Sequence, residues 1–99
     1  MARLWRARAE LYRGRTKEAD ALLRSLEAQF DELSTWSQRW LLVTRGQLHD
    51  VTGEREEAIT FYARVSQEKV PFGSRRSADV ARSGLDAPFE LVASQTSSR

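Results

Sequence analysis

The sequence of 99 residues contains no cysteine, a single histidine, two prolines and five glycines. Without cysteine there can be no disulfide, thiolate zinc site, iron–sulfur cluster or cysteine nucleophile, and one histidine excludes a metal site built on a histidine cluster. Few ways remain to bring titratable groups together in a catalytic cleft. We therefore expect a protein without metal, cofactor or catalytic residues, and not an enzyme.

Long hydrophobic runs are also missing. The longest has four residues, Trp40-Leu41-Leu42-Val43, far below the roughly 18 needed to cross a bilayer. The first fifteen residues alternate arginine with apolar residues, and this pattern lacks the apolar stretch and cleavage site of a secretory signal. These absences predict a cytoplasmic protein that does not insert into a membrane.

The charge is nearly balanced, with 16 Lys and Arg against 14 Asp and Glu, and the net charge is only +2. Hydrophobic residues make up 40% of the chain and charged residues 30%, a composition typical of a folded domain rather than a disordered chain. At this length the chain forms one domain. It is not a polybasic protein of the histone kind.

Glycine and proline fall between segments of helical periodicity, which predicts an all-α protein. Five helices are expected, with Thr16 as the N-cap of the second, Ser34 or Thr35 starting the third, and Gly84 ending the fifth. The corresponding ranges are about 2–13, 16–33, 35–50, 54–66 and 74–84. A polar tail, residues 93–99, is expected to be disordered.

Apolar stripes on these helices predict the core. In the first helix we expect Trp5, Ala9 and Tyr12 to face the interior. In the second helix the apolar residues step by four and three positions from Ala19 to Leu33. The third helix is apolar over most of its circumference, which predicts a helix buried between neighbours.

The first two helices and the next two are similar in sequence. Their first helices match at an offset of 37 residues and their second helices at 39, so the first inter-helix turn is expected to be two residues shorter. The matched segments are Trp5-x-x-Arg8-Ala9-x-x-Tyr12 with Leu42-x-x-Arg45-Gly46-x-x-His49, and Gly14-x-x-x-Glu18-Ala19 with Gly53-x-x-x-Glu57-Ala58.

At these residues the sequence resembles the tetratricopeptide repeat, which places a large residue, a glycine and an aromatic on one helix and Ala-x-x-x-Phe/Tyr on the next. The second unit follows this pattern at Leu42, Gly46, Ala58 and Tyr62, with Pro71 near the closing proline. The resemblance implies two antiparallel helical hairpins, repeat one over 2–33 and repeat two over 35–66. A capping helix at 74–84 would complete a small α-solenoid fragment within a domain of residues 1–92.

The resemblance also implies a function, which is to bind a protein or peptide partner in a concave groove without catalysis. The groove-facing positions it assigns on the third helix are Trp40, Val43, Thr44, Gln47 and Asp50. Relatives that clamp a peptide's terminal carboxylate use lysine or arginine and asparagine there. Because these positions lack those residues, we expect no such clamp on this helix.

An alternative function is binding of single-stranded nucleic acid, through arginines of the first helix and stacking on the tryptophans. Trp5, however, is expected in the core and Trp40 in the groove, and no segment carries an unopposed basic charge. Nucleic acid is therefore the less favoured partner. The lone His49 occupies a position that a packing tyrosine fills in the repeat, so we interpret it as structural.

Two further expectations concern arginine and the oligomeric state. Arg8 and Arg45 recur where an apolar residue is usual, and their aliphatic stems are expected along the hydrophobic seam, so that Arg45→Leu would be neutral or stabilising. Leu4, Trp5, Leu11 and Tyr12 together give the first helix more apolar surface than the second helix can cover. A homodimer, or membership of a longer repeat array, would cover the rest.

Overall fold

A computed structural model describes residues 2–67 and 75–90. Within these ranges the chain forms α1 (Ala2–Tyr12), α2 (Thr16–Glu27), α3 (Thr35–Val51), α4 (Arg55–Gln67) and α5 (Arg75–Asp86), with a 3-10 turn at Phe30–Glu32. The described residues include no strand, and the predicted all-α class is confirmed. The break expected around Pro71 and the tail at 93–99 lie outside the described residues.

The turns that join α1 to α2 and α3 to α4 have the same construction. Each has three residues and contains a glycine with positive φ, 82° at Gly14 and 85° at Gly53. The glycine N–H bonds the carbonyl three residues back, and the next N–H bonds the carbonyl five back, at 2.9 and 2.9 Å in the first turn and 3.2 and 2.7 Å in the second. This is the Schellman motif, which favours glycine at its left-handed position. The expectation of a shorter first turn is wrong.

The buried side of α1 also differs from the expected one. Trp5 and Tyr12 are 43% and 46% exposed and Ala9 is exposed, so the expected interior stripe is wrong. The aliphatic residues that are buried instead are Leu4, Ala7 and Leu11. The two turn glycines, Gly14 and Gly53, are 39 residues apart, and Ala7 stands the same number of residues before Gly46. The residue of α1 that corresponds to Gly46 is therefore Ala7 and not Ala9.

Helix α3 lies at the centre of the described structure. It packs against α4, α2, α5 and α1, while α1 packs mainly against α2 and α5 mainly against α4. Buried residues run without interruption from Arg39 to Leu48. The prediction of a helix enclosed by its neighbours is therefore confirmed.

Tyr62 of α4 is fully buried between two helices that each present a glycine to its ring. A Cβ at Gly46 of α3 would lie 2.6 Å from Tyr62 Cε1, and a Cβ at Gly84 of α5 would lie 2.5 Å from Tyr62 Cε2. Gly84 is required by this close approach and not as a terminator. The expectation that it ends the fifth helix is wrong, because α5 continues to Asp86.

The helix boundaries in the first half differ from expectation in two places. Ser34 caps α3 as predicted, its Oγ accepting from the N–H of Ser37 at 3.2 Å. Thr16 is not a cap, because it is the first residue of α2 and the capping position is Arg15, without a side-chain bond. Helix α2 ends at Glu27, and Phe30 and Leu33 pack half-buried against the core from the following turn.

Candidate functional site

A groove of about 440 Å³ lies between α1, the first half of α3 and α5, and we call it the aromatic groove. Its side chains come from one face of each helix, because residues three or four positions apart on a helix are neighbours on its surface. The lining residues are Trp5, Arg8 and Tyr12 of α1, Trp36 and Trp40 of α3, and Arg76 and Val80 of α5.

All three tryptophans of the chain meet in this groove. Trp5 lies 5.6 Å from Trp36 and 5.9 Å from Trp40 between ring centroids, and Trp36 lies 6.3 Å from Trp40. The rings are steeply inclined to one another, at 54° to 63°, in arrangements that favour aromatic pairs. Trp40 is only 5% exposed and forms the floor, whereas Trp5 forms an exposed rim. The expectation that Trp5 packs in the core is therefore wrong.

Arg8 inserts its guanidinium among these rings. Its central carbon lies 4.6 Å from the Trp40 centroid and 5.4 Å from that of Tyr12, within cation–π range. Nη1 donates to Thr44 Oγ1 at 2.8 Å and to Gln47 Oε1 at 3.2 Å, and Nη2 donates to the Tyr12 hydroxyl at 3.1 Å. Within the described residues, the partners that fix this side chain are thus all neutral.

Two arginines, Arg8 and Arg76, give the aromatic groove a positive charge. Among the residues that the structure describes, no carboxylate forms an ion pair with Arg8, and none of the groove's lining residues is acidic. Burial lowers the pKa of Arg8, and the charge of Arg76 acts in the same direction. Because a partly buried cation is costly without a counter-ion, this groove favours a ligand that brings negative charge.

The structure places the five predicted groove residues largely in the interior. Val43 and Thr44 are fully buried, Gln47 is 3% exposed and the Asp50 side chain is inaccessible. Helices α1 and α5 and the residues after α5 cover this side of α3. Trp40 reaches the aromatic groove, and Thr44 and Gln47 orient Arg8 from behind. The set does not form an open surface of its own.

Asp50 joins three parts of the chain. Arg55 Nη1 donates to both of its oxygens at 3.1 Å, and the Tyr62 hydroxyl donates at 2.8 Å to Oδ2. The backbone N–H of Phe89 donates to the same oxygen at 2.9 Å. Burial, followed by the bond to Asp50, raises the pKa of Tyr62. This carboxylate therefore ties α3 to α4 and to the residues that follow α5.

His49 lies on another side of the molecule, beside the α3–α4 turn. Its Nδ1 is 2.8 Å from Glu54 Oε1, and its ring stacks on Phe61 at 5.4 Å between centroids. Hydrogen bonds from His49 and from Thr52 lower the pKa of Glu54. These contacts connect the end of one helix to the start of the next and agree with a packing role.

Sequence reasoning did not include Tyr12, Trp36, Arg76 or Val80 among the groove residues, and it assigned Arg8 to the hydrophobic seam. A signal for part of the groove was present, because Trp5, Arg8 and Tyr12 recur at helical spacing on one face of α1. No local pattern in the sequence indicated that α5 contributes Arg76 and Val80 to the groove. It depends on how the fifth helix packs across the third, which the one-dimensional pattern does not encode.

Comparison with models of protein families, with curated proteins and with solved structures finds no match to this chain. In the described ranges no three acidic or histidine side chains come together as a candidate metal site. None of the helices in those ranges has the length and hydrophobicity of a membrane-spanning segment.

Proposed function

We propose that the protein is a non-catalytic interaction module that binds a peptide segment of a protein partner in the aromatic groove. The observation that carries the proposal is the exposed Trp5 rim beside Arg8 and Arg76, in a groove to which the described part of the chain contributes no acidic side chain. Aromatic and arginine side chains in concave sites are the residues that most often dominate binding energy at interfaces.

The proposal retains a tetratricopeptide-like arrangement of the helices. It is supported by two helix pairs with identical turns 39 residues apart, and by α5 packing against the second pair. In such an array the first helices of successive units would line one concave side, where α1, α3 and α5 form the aromatic groove. The module is either self-contained or the end of a longer array.

The groove chemistry specifies the kind of segment. A large apolar side chain would cover Trp5 and Val80, while an Asp or Glu nearby would neutralise Arg8 and Arg76. The two cations come from α1 and α5 and not from the α3 positions considered in the sequence. A side-chain carboxylate is therefore the proposed counter-ion.

The test is selection from a displayed library of random peptides, followed by affinity measurement on the enriched sequences. Enriched peptides should combine an acidic and a large apolar residue. Trp5→Ala should weaken their binding at least ~10-fold, since truncating an interface anchor commonly costs about 2 kcal/mol. Ile59→Ala is the matched control, because Ile59 is an exposed apolar residue on α4, outside the groove. Equal binding by both variants would overturn the proposal.

Single-stranded nucleic acid remains the second candidate, because an exposed tryptophan next to two arginines also suits a stacked base and its phosphate. It is less favoured, since the groove offers only two cations, whereas a strand presents a phosphate at every nucleotide. Titration with oligothymidylate at two salt concentrations separates the candidates. Each neutralised phosphate contributes about −0.7 to the slope of log K against log salt on a single strand.

A further inference from the structure

The four residues after α5, Ala87–Glu90, lie against the concave side of α3, and we call them the strap. The Phe89 N–H donates to Asp50 Oδ2 at 2.9 Å, and the Phe89 ring lies 5.4 Å from the Tyr12 ring. Pro88 has no N–H and fixes its own φ, so it ends the helix and holds the segment out of helical geometry.

The strap covers two of the residues, Gln47 and Asp50, that the resemblance to the tetratricopeptide repeat assigns to a ligand groove. Asp50 accepts its backbone bond, and Gln47 lines an open cavity of about 260 Å³ that the strap borders. Asp50 accepts a hydrogen bond from the Phe89 backbone N–H, as an acceptor in a peptide-binding groove accepts one from the backbone of its ligand. The strap therefore lies where the concave groove of the proposed function would hold a peptide.

We propose that the strap is an intramolecular ligand of the concave surface, and that a partner segment of the same chemistry replaces it. Such a segment is non-helical and carries a large aromatic residue whose own N–H is free to bond Asp50. This inference rests on the proposed function, because it extends the aromatic groove along α3 and assigns its regulation to the chain itself.

The strap contacts the helices mainly through Phe89, which packs against the core, bonds Asp50 and lies beside Tyr12. Ala87, Pro88 and Glu90 are exposed and Phe89 is only partly buried. Its residues line an open cavity together with Tyr62 and Gly84, and its side chains do not fill that space. Segments with sparse apolar contacts and solvent-exposed backbone open at low free-energy cost. Such a segment can leave while the helices stay folded.

The strap and the aromatic groove also share residues. Tyr12 lines the aromatic groove and contacts Phe89, and Val80 lines both the groove and the cavity under the strap. A peptide that extends along the groove past Tyr12 must therefore compete with Phe89. Departure of the strap would join the two cavities into one surface, with Gln47 and Asp50 exposed along it.

The expected affinities follow from effective concentration. A tethered segment experiences roughly millimolar effective concentration at its own site. To be docked about nine-tenths of the time it needs a Kd near 0.1 mM for the same site as a free peptide. The intact strap then weakens binding of that free peptide by about ten-fold, because only the open fraction is competent.

The experiment uses the full chain and a dye-labelled, end-blocked peptide of residues 85–90, Leu-Asp-Ala-Pro-Phe-Glu. By fluorescence anisotropy, Phe89→Ala should bind this peptide about ten-fold more tightly than the unmodified chain. A peptide with alanine in place of its phenylalanine should not bind. Equal affinity for both proteins, or no binding to Phe89→Ala at 1 mM, would overturn the proposal.

A second measurement needs no variant and covers the case in which Phe89→Ala does not fold. In the unmodified chain, hydrogen exchange of the Phe89 amide should accelerate when unlabelled strap peptide is added at several millimolar. The amides of α3 should keep their protection. An unchanged Phe89 amide under peptide saturation would mean that the strap is a fixed part of the fold.

The result is distinguishable from failure of the proposed function. If peptides selected on the aromatic groove depend on Trp5 but bind equally to Phe89→Ala and to the unmodified chain, the groove is functional and the strap is not its competitor. If the strap peptide binds Phe89→Ala but no selected peptide depends on Trp5, the strap site stands and the aromatic groove does not.

Discussion

Arg45 is buried at the interface of α2 and α3, but its charge is paired. Its Nε and Nη2 donate to the two oxygens of Glu27 at 3.0 and 2.9 Å, and Nη1 donates to Asp20 Oδ1 at 2.5 Å. Burial lowers the pKa of Arg45, but the bonds to Glu27 and Asp20 outweigh it and the net shift is upward. The guanidinium of Arg45 thus forms ion pairs with two carboxylates, and we call this group the fork.

Arg45→Leu should therefore destabilise the protein instead of leaving it unchanged. The two carboxylates lose their shared cation but remain about one-third exposed and can be rehydrated, so we expect about 1–2 kcal/mol and less than a fully buried pair would cost. Urea unfolding measures the change. Arg24→Leu is the control, because Arg24 also pairs with Asp20 but is exposed. If Arg45→Leu is as stable as the parent, the expectation from the sequence, that this change is neutral or stabilising, would hold.

The same fork predicts an acid dependence. The hydrogen bond from Arg45 is the main cause that lowers the pKa of Asp20. A depressed folded-state pKa adds stability above the unfolded value, near 3.9, and this contribution is lost as the pH falls through the folded value. The urea midpoint of Asp20→Asn should thus fall less between pH 4.5 and 2.5 than that of the parent. Asp31→Asn, at an exposed carboxylate in the 3-10 turn, should follow the parent profile.

At the scale of the helices, the close approach of α3, α4 and α5 around the Tyr62 ring sets their spacing. Alanine is the better helix former by about 1 kcal/mol, so Gly84→Ala would stabilise an isolated helix. Here the added Cβ would lie 2.5 Å from the ring, and overpacking of this kind commonly costs about 1–3 kcal/mol. We expect net destabilisation by thermal unfolding.

A double-mutant cycle assigns the cost of Gly84→Ala to the ring. With Tyr62 already replaced by Leu, the added methyl group at position 84 has space, and its cost should disappear or reverse sign. If Gly84→Ala costs the same in both backgrounds, the close approach to Tyr62 is not its cause.

The element ranges were largely predictable from local pattern, while the facing of one helix was not. Gly14, Gly53 and Ser34 mark boundaries because each has a local reason, a positive φ or a side-chain cap. The interior side of α1 depends on how it packs against α2 and α3. Two apolar stripes compete on that helix, and the aliphatic one is buried while the aromatic one remains accessible.

The candidate site was predictable only in part, for the same reason. Trp40, one of the five residues assigned to a groove, lies at the floor of the aromatic groove, but its neighbours along α3 are covered by α1, α5 and the strap. The cations of the groove, Arg8 and Arg76, stand 68 positions apart in the chain. Contacts at such separation follow from tertiary packing, and periodicity carries no information about them.

At the scale of the whole molecule, the burial of α1 bears on the oligomeric state. Leu4 and Leu11, two residues that suggested an uncovered face, are buried within the chain. The large apolar side chains left exposed in the described part are only Trp5, Tyr12 and Ile59. Trp5 and Tyr12 line the aromatic groove and Ile59 stands apart on α4, and exposure on this scale is normal for a monomer.

We therefore expect light scattering at micromolar concentration to give the mass of one chain, 11.3 kDa. Trp5→Ala should likewise be a monomer. A dimer in the parent that dissociates in Trp5→Ala would show that the aromatic groove receives a second copy. It would then be the homodimer interface considered from the sequence.

The meeting of Trp5, Trp36 and Trp40 has an optical consequence. At these centroid distances, excitation passes readily among the indoles, so ultraviolet emission reports a single locality and not an average over the molecule. Helices α4 and α5 contain no tryptophan, and only α5, through Arg76 and Val80, lies in the groove that holds the three rings. Tryptophan emission and far-ultraviolet circular dichroism, recorded during denaturation, would thus reveal whether α4 and α5 unfold together with α1 and α3. The two curves coincide only when the whole chain unfolds as one unit.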